Sequence, residues 1–262
     1  MHLIVPMAGA GRRFKEAGYT VPKPLIKIGG RHMIEWALDP IPPEWNIHLV
    51  LNSNEIHGCG PIGNKRNLFS FFLWGPTQGA ACTVLAAALA LPPGEPVAVM
   101  NADQWFRHDL EALQEQALKE KWDGYVLTFR GEGDRWSYVR EVDGWITEVA
   151  EKKPISVKAT VGFYWWRHAQ DLVDACCILI AQNHRIRGEF YLAPTYNEVI
   201  ERYGAKVKAV NVDEFKSLGT PEDVESFEMI YPMICPKCGY RETHPTTPIM
   251  QGHVCPATMG TV

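Results

Sequence analysis

The sequence predicts an α/β protein: a Rossmann-like, mainly parallel sheet flanked by helices, with a projecting β-hairpin and a small C-terminal zinc-ribbon-like tail. Three observations carry that expectation. Short apolar runs alternate with stretches of helical pattern, as repeated βαβ units require. Asp143-Gly144 separates two strand-like runs, a strong two-residue hairpin signal. The composition then breaks at Tyr231-Pro232, where the core gives way to a segment containing Cys, His and Pro. The expected division is a domain over 1–230 and a tail over 231–262.

Taken in order, residues 3–5 form a first strand that delivers the chain into Gly9-Ala10-Gly11-Arg12-Arg13, followed by Pro22-Lys23-Pro24-Leu25. That layout suits an anion. The glycines let backbone N–H groups approach a phosphate without Cβ interference, and Arg12, Arg13 and Lys23 supply charge. The spacing is neither the three-glycine dinucleotide fingerprint nor a P-loop, which ends in Gly-Lys-Ser/Thr. A helix is expected over 33–38 and a strand over 47–51. A buried Ala-rich helix follows over 82–91, with Thr77 as its N-cap and Pro92-Pro93-Gly94 as its stop. Strand 97–100 runs into Asn101-Ala102-Asp103, which places a carboxylate at the carboxyl edge of a parallel sheet, where ligands of open α/β sheets bind. Helix 110–121 and strand 125–129 come next, then hairpin strands 138–142 and 145–149. Helices 169–182 and 194–203, strand 206–212 and a last helix complete the domain. Thr220-Pro221-Glu222-Asp223 opens that helix as a capping box with Pro at its first position.

Composition narrows the function classes. A net charge of −4 gives no general attraction for nucleic acid or anionic lipid, so the basic residues of the first loop act locally on a small anion. No apolar run is long enough to span a membrane. The start of the chain lacks a signal-peptide pattern, and seven cysteines, an odd number, do not read as an extracellular disulfide framework. A cytoplasmic protein is expected, with no membrane or nucleic-acid partner and room for a homo-oligomer.

Gly9, Gly11 and Arg13 followed by Pro22-Lys23-Pro24-Leu25 resemble the signature of the sugar-phosphate nucleotidyltransferases, or nucleoside-diphosphate-sugar pyrophosphorylases. Similar landmarks recur in order at Gln78-Gly79-Ala80-Ala81, Asn101-Ala102-Asp103, Glu151-Lys152, Gly162-Phe163-Tyr164, Glu189-Phe190-Tyr191 and Leu218-Gly219-Thr220-Pro221, over about residues 1–230. Phe14, Gly18-Tyr19 and Ile26 resemble a branch associated with capsule and other surface-polysaccharide genes. The resemblance implies an enzyme that condenses a nucleoside triphosphate with a small phosphorylated metabolite, such as a sugar 1-phosphate, and releases pyrophosphate. It implies catalytic roles for Arg13 on the β- and γ-phosphates, Lys23 near the α-phosphate and the acceptor phosphate, and Asp103 on Mg²⁺. Nucleotide contacts would come from Ala8, Gly9, Ala10, Gly11, Arg12, Gln78 and Gly79. The acceptor pocket would come from Glu151, Lys152, Gly162, Glu189 and Tyr191. Trp136 and Tyr164 to Trp166 could offer an apolar platform, though alternating aromatics in a strand favour core. CTP is placed first among the nucleotides, with UTP or dTTP next.

The chain departs from the family at one metal position. Many members carry a second metal-binding aspartate two residues before the Gly-Thr-Pro motif; here it is Ser217. Either Asp103 holds Mg²⁺ with phosphates and water alone, or Asp213 or Glu214 reaches in. In the tail, Cys235-Pro-Lys-Cys238-Gly239 with Cys255 forms a good half of a zinc ribbon. A second Cys-x-x-Cys is interrupted by Thr258, so His253, His244 or a core His57 or Cys59 would complete a structural Zn²⁺ site, His253 being preferred. Two rivals remain: a catalytically silent scaffold on the same fold, motivated by Ser217, and a zinc-containing nucleic-acid-binding protein, motivated by the tail.

Overall fold

The structure is a computed structural model that describes residues 1–54 and 67–230. The tail residues Cys235, Cys238, His244, His253, Cys255 and Thr258, and the core alternatives His57 and Cys59, lie outside the described residues. The first third of the chain contains β1 (His2–Pro6), α1 (Arg12–Glu16), a 3-10 turn (Lys23–Leu25), β2 (Lys27–Ile28), β3 (Arg31–His32), α2 (Met33–Ala37), β4 (Asn46–Asn52), β5 (Leu68–Leu73) and α3 (Ala80–Ala88). Then come β6 (Val97–Met100), β7 (Gln104–Arg107), α4 (Leu110–Lys119), β8 (Gly124–Arg130), β9 (Ser137–Val142), β10 (Trp145–Glu151) and β11 (Lys158–Trp166). The remainder holds α5 (Ala169–Ala181), α6 (Thr195–Tyr203), β12 (Val207–Asn211), β13 (Glu214–Ser217) and α7 (Pro221–Ile230).

A nine-stranded sheet forms the centre. β6, β1, β4 and β5 lie side by side and parallel. The apolar runs of β1, β4 and β6 are buried on both faces as expected, whereas β5, a strand the sequence reading did not include, is the partly exposed edge. The other half is mixed. β11 enters antiparallel between β6 and β8, and β12 then pairs parallel with β8. The 125–129 strand is therefore not a further parallel strand in a simple βαβ series. Its neighbour is a nine-residue aromatic strand that returns through the sheet, and Trp165 and Trp166 are core residues there, 0% and 1% exposed. The β9–β10 hairpin sits at the outer edge, joined to β11 through Ala159 and Tyr138. Asp143 and Gly144 take φ of 51° and 76°, the left-handed pair that a two-residue hairpin turn demands.

Helices cover both faces. Ile34, Leu38, Leu110 and Leu113 pack on one side with Leu3 and Val5, whereas Val84, Leu172, Leu179 and Tyr196 pack on the other with Ile4. A third cluster joins α7 to the first segment: Val224 and Phe227 meet Phe14, Ile28 and Trp36. The capping box of α7 forms, with Asp223 N–H donating to Thr220 Oγ1 at 3.2 Å and Thr220 N–H to Asp223 Oδ2 at 3.1 Å. Thr77 is not the N-cap of α3. That helix starts two residues earlier than expected, and Gly79, at φ 141°, caps it. Among the described residues no helix is long and apolar enough to cross a membrane.

At the edge remote from the loops, His2 Nδ1 and His48 Nε2 are 2.9 Å apart and Glu95 accepts from His2 Nε2 at 2.9 Å. Burial, aided by the charge of His2, pushes the His48 imidazole down to about 4. The unfolded chain therefore binds more protons than the folded one between about pH 4 and pH 6.5, so this group's contribution is intact above pH 6.5 and is lost as pH falls towards 4. His48→Gln, which cannot titrate, should flatten the dependence of urea stability on pH between 5 and 7 relative to the parent. Equal slopes would refute the assignment.

Candidate active site

The loops at the carboxyl ends of β1 and β6 enclose a cleft of about 620 Å³. β1 leads into buried Met7 and Ala8, after which Gly9 and Ala10 are exposed and Gly11, at φ 60°, turns the chain into α1. Arg12 and Arg13 are therefore in the first turn of a short helix, exposed and lining the cleft with Ala8 to Gly11. Gly11 also lets the 3-10 turn come close: a Cβ there would lie 3.3 Å from that of Lys23.

Lys23 joins three parts of the chain. Its Nζ donates to Asp103 Oδ2 at 2.5 Å and to the Gly219 carbonyl at 3.1 Å, and lies 5.1 Å from the centre of the Phe14 ring. Asp103 follows β6, and β7 then pairs antiparallel with β13, setting Ser217 opposite Gln104. Strand alternation places Phe215 and Ser217 on the cleft side. Asp213 and Glu214 do not reach in. Asp213 Oδ2 is 3.8 Å from His108 Nδ1, and Glu214 lies 3.4 Å from Arg107 and 3.7 Å from Lys216, away from the cleft lining.

The carboxylate that approaches instead is Asp223. A Cβ on Gly219 would be 3.6 Å from both Asp103 Oδ2 and Asp223 Oδ2 and 3.2 Å from Ser217 Oγ, so three side-chain oxygens converge there. Burial pushes the Asp223 carboxyl up, but hydrogen bonds from Arg135 and Ser217, with the Arg135 charge, outweigh it and hold the group below its usual range. Sequence reading assigned Asp223 to the capping box and missed this second duty, and it missed Arg135 altogether. The two meet across a separation of 88 residues, with no spacing motif to reveal it.

Of the residues expected to contact the acceptor, Glu151, Gly162, Glu189 and Tyr191 line the same cleft. Glu151 accepts from Ser137, and burial pushes its carboxyl up against the opposing pull of that bond and of Lys152. Lys152 does not line the cleft; its ammonium bonds the Tyr191 hydroxyl and sits over that ring at 4.2 Å. Gly162 is at φ 85°, where β11 bulges, and a Cβ there would lie 2.3 Å from Gln104 Oε1 and 2.4 Å from Asn101 Nδ2. Gln104, also absent from the expected set, is 3% exposed, lines the cleft, and its Nε2 has no hydrogen-bond partner among the described residues.

Gln78 does not face the cleft. Its exposed side chain is bonded by Arg185, whose guanidinium stacks over Phe190 at 4.0 Å. Gly79 does line the cleft, but it is needed for contact: a Cβ would fall 2.4 Å from the Phe190 carbonyl oxygen. Tyr164 and Trp136 line the cleft, in contrast to Trp165 and Trp166.

No family model and no curated protein matches the sequence. Solved structures do match the chain in fold. One is a nucleoside-diphosphate-sugar pyrophosphorylase from Vibrio cholerae, 24% identical, with a TM-score of 0.69 over 86% of this chain and 98% of that one. Another is a UDP-glucose pyrophosphorylase from Acinetobacter baumannii, 16% identical, with a TM-score of 0.72 over 91% of this chain and 95% of that one. The fold is that of the nucleoside-diphosphate-sugar pyrophosphorylases. A UTP-bound enzyme from Acinetobacter baumannii also matches, 16% identical, with a TM-score of 0.69 over 88% of this chain and 94% of that one.

Proposed function

We propose that the chain is a nucleotidyltransferase that joins a nucleoside triphosphate to a small phosphate monoester, a sugar 1-phosphate being the leading class. The observation that carries this reading is Lys23, which links Asp103 and Gly219 in the cleft at the carboxyl ends of β1 and β6 of a pyrophosphorylase fold. An oxygen of the monoester attacks the α-phosphorus; that P–O bond forms as the α–β bridging P–O bond breaks, and pyrophosphate leaves with the bonding pair. No proton need be moved, because the nucleophile is already an anion. The residues must therefore align two mutually repelling anions and offset charge on the pentavalent phosphorus and leaving group. Arg12 and Arg13 lie on the loop assigned to the triphosphate. Lys23 stands between that loop and the acceptor side, suited to both the α-phosphate and the attacking oxygen.

The oxygen donors at Asp103 and beside it suit Mg²⁺. Among the described residues the cleft lining contains no His or Cys, and Asp103, Ser217 and the Gly219 carbonyl present oxygen, the donor that a hard cation takes. Asp103 would hold the ion, with substrate phosphates and water supplying the rest, and the ion's charge would help neutralise the phosphate oxygens. Asp103→Asn should shift Mg²⁺ activation to concentrations at least about tenfold higher, since a neutral amide binds a hard cation less well than a carboxylate. An unchanged magnesium titration would place the metal elsewhere. The base is proposed to be a pyrimidine, CTP before UTP or dTTP, and the product an activated precursor for surface polysaccharide; the resemblance of the first loop supports both. Incubation with each nucleoside triphosphate, Mg²⁺ and a panel of phosphate monoesters should release pyrophosphate with at least one pair. Release with none would overturn the reading.

For 231–262, where the composition changes, we propose a structural Zn²⁺ held by Cys235, Cys238, Cys255 and His253. A segment this short has little apolar surface, so metal ligation would supply much of its folding free energy. Elemental analysis of protein purified without chelator should find one zinc per chain; none would refute the site.

A further inference from the structure

Arg135 lies in the 131–136 connection between β8 and β9, next to Trp136, and was not itself among the expected site residues. Its Nη2 donates to Ser217 Oγ at 2.8 Å and to Asp223 Oδ2 at 2.6 Å, and its guanidinium stacks 4.2 Å from the Trp136 ring. The anchor is more deeply set than the cation: the Asp223 side chain is 17% exposed and that of Arg135 40%. Asp223 Oδ2 is held in turn by the Ser217 hydroxyl at 2.8 Å and by Thr220 N–H at the start of α7. We propose that Arg135 is a substrate-contacting residue that binds the acceptor's phosphate, and that Ser217 and Asp223 are positioning residues that aim it. The inference rests on the transferase reading above.

Place and donor count support it. Lys23 and Arg135 flank Gly219, one through its carbonyl and the other through Ser217, whose Oγ accepts from Gly219 N–H at 3.2 Å. Arg135 belongs to the acceptor half, because the adjoining Trp136 carbonyl accepts from Lys152 N–H at 2.8 Å and the next residue, Ser137, bonds Glu151. Lys23, paired with Asp103 as Arg135 is with Asp223, supplies one positive charge, and a dianionic monoester calls for a second. Both Nη2 hydrogens of Arg135 serve the anchor, and among the described residues no bond uses its Nη1 or Nε. Those donors match the fork geometry by which arginine grips phosphate. Ser217 then acquires a reason: Asp223 already offsets part of the guanidinium charge, and a hydroxyl at 217 orients the group without adding a second carboxylate beside it.

The test uses the full chain in metal-free buffer, with inorganic phosphate and glucose 1-phosphate as probes and the four nucleoside triphosphates as controls, followed by calorimetry. Arg135→Ala should weaken the phosphate probes by about tenfold or more, as loss of a charge-assisted contact implies, and nucleotide binding by less than about threefold. Arg135→Lys should recover part of the loss. Ser217→Asp, with circular dichroism like the parent's, should weaken the probes as Arg135→Ala does, since without metal its carboxylate acts through the guanidinium. Unchanged probe affinity in Arg135→Ala, an equal loss for nucleotide and probe, or tighter probe binding in Ser217→Asp would overturn the proposal. So would a parent that binds a nucleotide but neither probe. A parent that binds no nucleotide would instead overturn the transferase reading on which it rests.

Discussion

Lys23→Ala should lower kcat by about 10²- to 10³-fold while leaving the fold intact, a loss of the size seen when a preorganised group that offsets transition-state charge is removed. The structure explains why stability should survive. The Lys23 and Asp103 side chains are 19% and 33% exposed, so a bared Asp103 can still be solvated, and the apolar contacts of Phe14 with Ile28 and Trp36 do not depend on the ammonium. Lys23→Arg should recover little, because a planar fork does not reproduce a point charge confined between Asp103 and the Gly219 carbonyl. Steady-state pyrophosphate release, with circular dichroism as the control for folding, provides the measurement. A variant within about threefold of the parent in kcat would remove Lys23 from the catalytic set.

Gly79→Ala should be the most damaging small substitution for stability. At φ 141° the backbone is strained for any L side chain, and the added methyl would sit 2.4 Å from the Phe190 carbonyl oxygen and 2.5 Å from its nitrogen. Neither neighbour is a flexible side-chain end. Phe190 N–H donates to the Gln78 carbonyl at 2.9 Å and its carbonyl accepts from Ala81 N–H at 3.0 Å, so moving it breaks the contact that ties α3 to the 189–191 segment. The cost should be about 3 kcal/mol or more, from overpacking and backbone strain together. For a chain of this size that lowers Tm by about 5–10 °C in a thermal melt. A melt within about 2 °C of the parent would show that the segment yields cheaply.

The two substitutions differ in how far they could be foreseen. Lys23, Arg13 and Asp103 were legible because each sits in a short motif whose residue types already state their chemistry, at a strand end or a glycine turn. Gly79 was legible as a landmark but not for its reason. Its neighbour Gln78 was read as a base contact, yet Arg185, distant in sequence, draws that side chain away from the cleft. Arg135, Gln104 and the second role of Asp223 left no trace in local pattern. Each is defined by a partner brought in by sheet pairing: β13 against β7 for Ser217 and Gln104, and the β8–β9 connection above α7 for Arg135.

By itself the sequence determined what nearest neighbours along the chain can settle. The runs of β1, β4 and β6, the left-handed pair Asp143 and Gly144, the capping box of Thr220 and Asp223, and the glycine turn beside Arg12 and Arg13 all depend on preferences within a few residues. Tertiary structure alone decided that β11 returns antiparallel through the sheet, that Asp223 rather than Asp213 or Glu214 approaches Gly219, and that Arg135 is anchored at the cleft. The physical reason is the same in each case. Such contacts join residues far apart in the chain, and their free energy comes from burial and charge pairing that exist only once the sheet has brought both partners together.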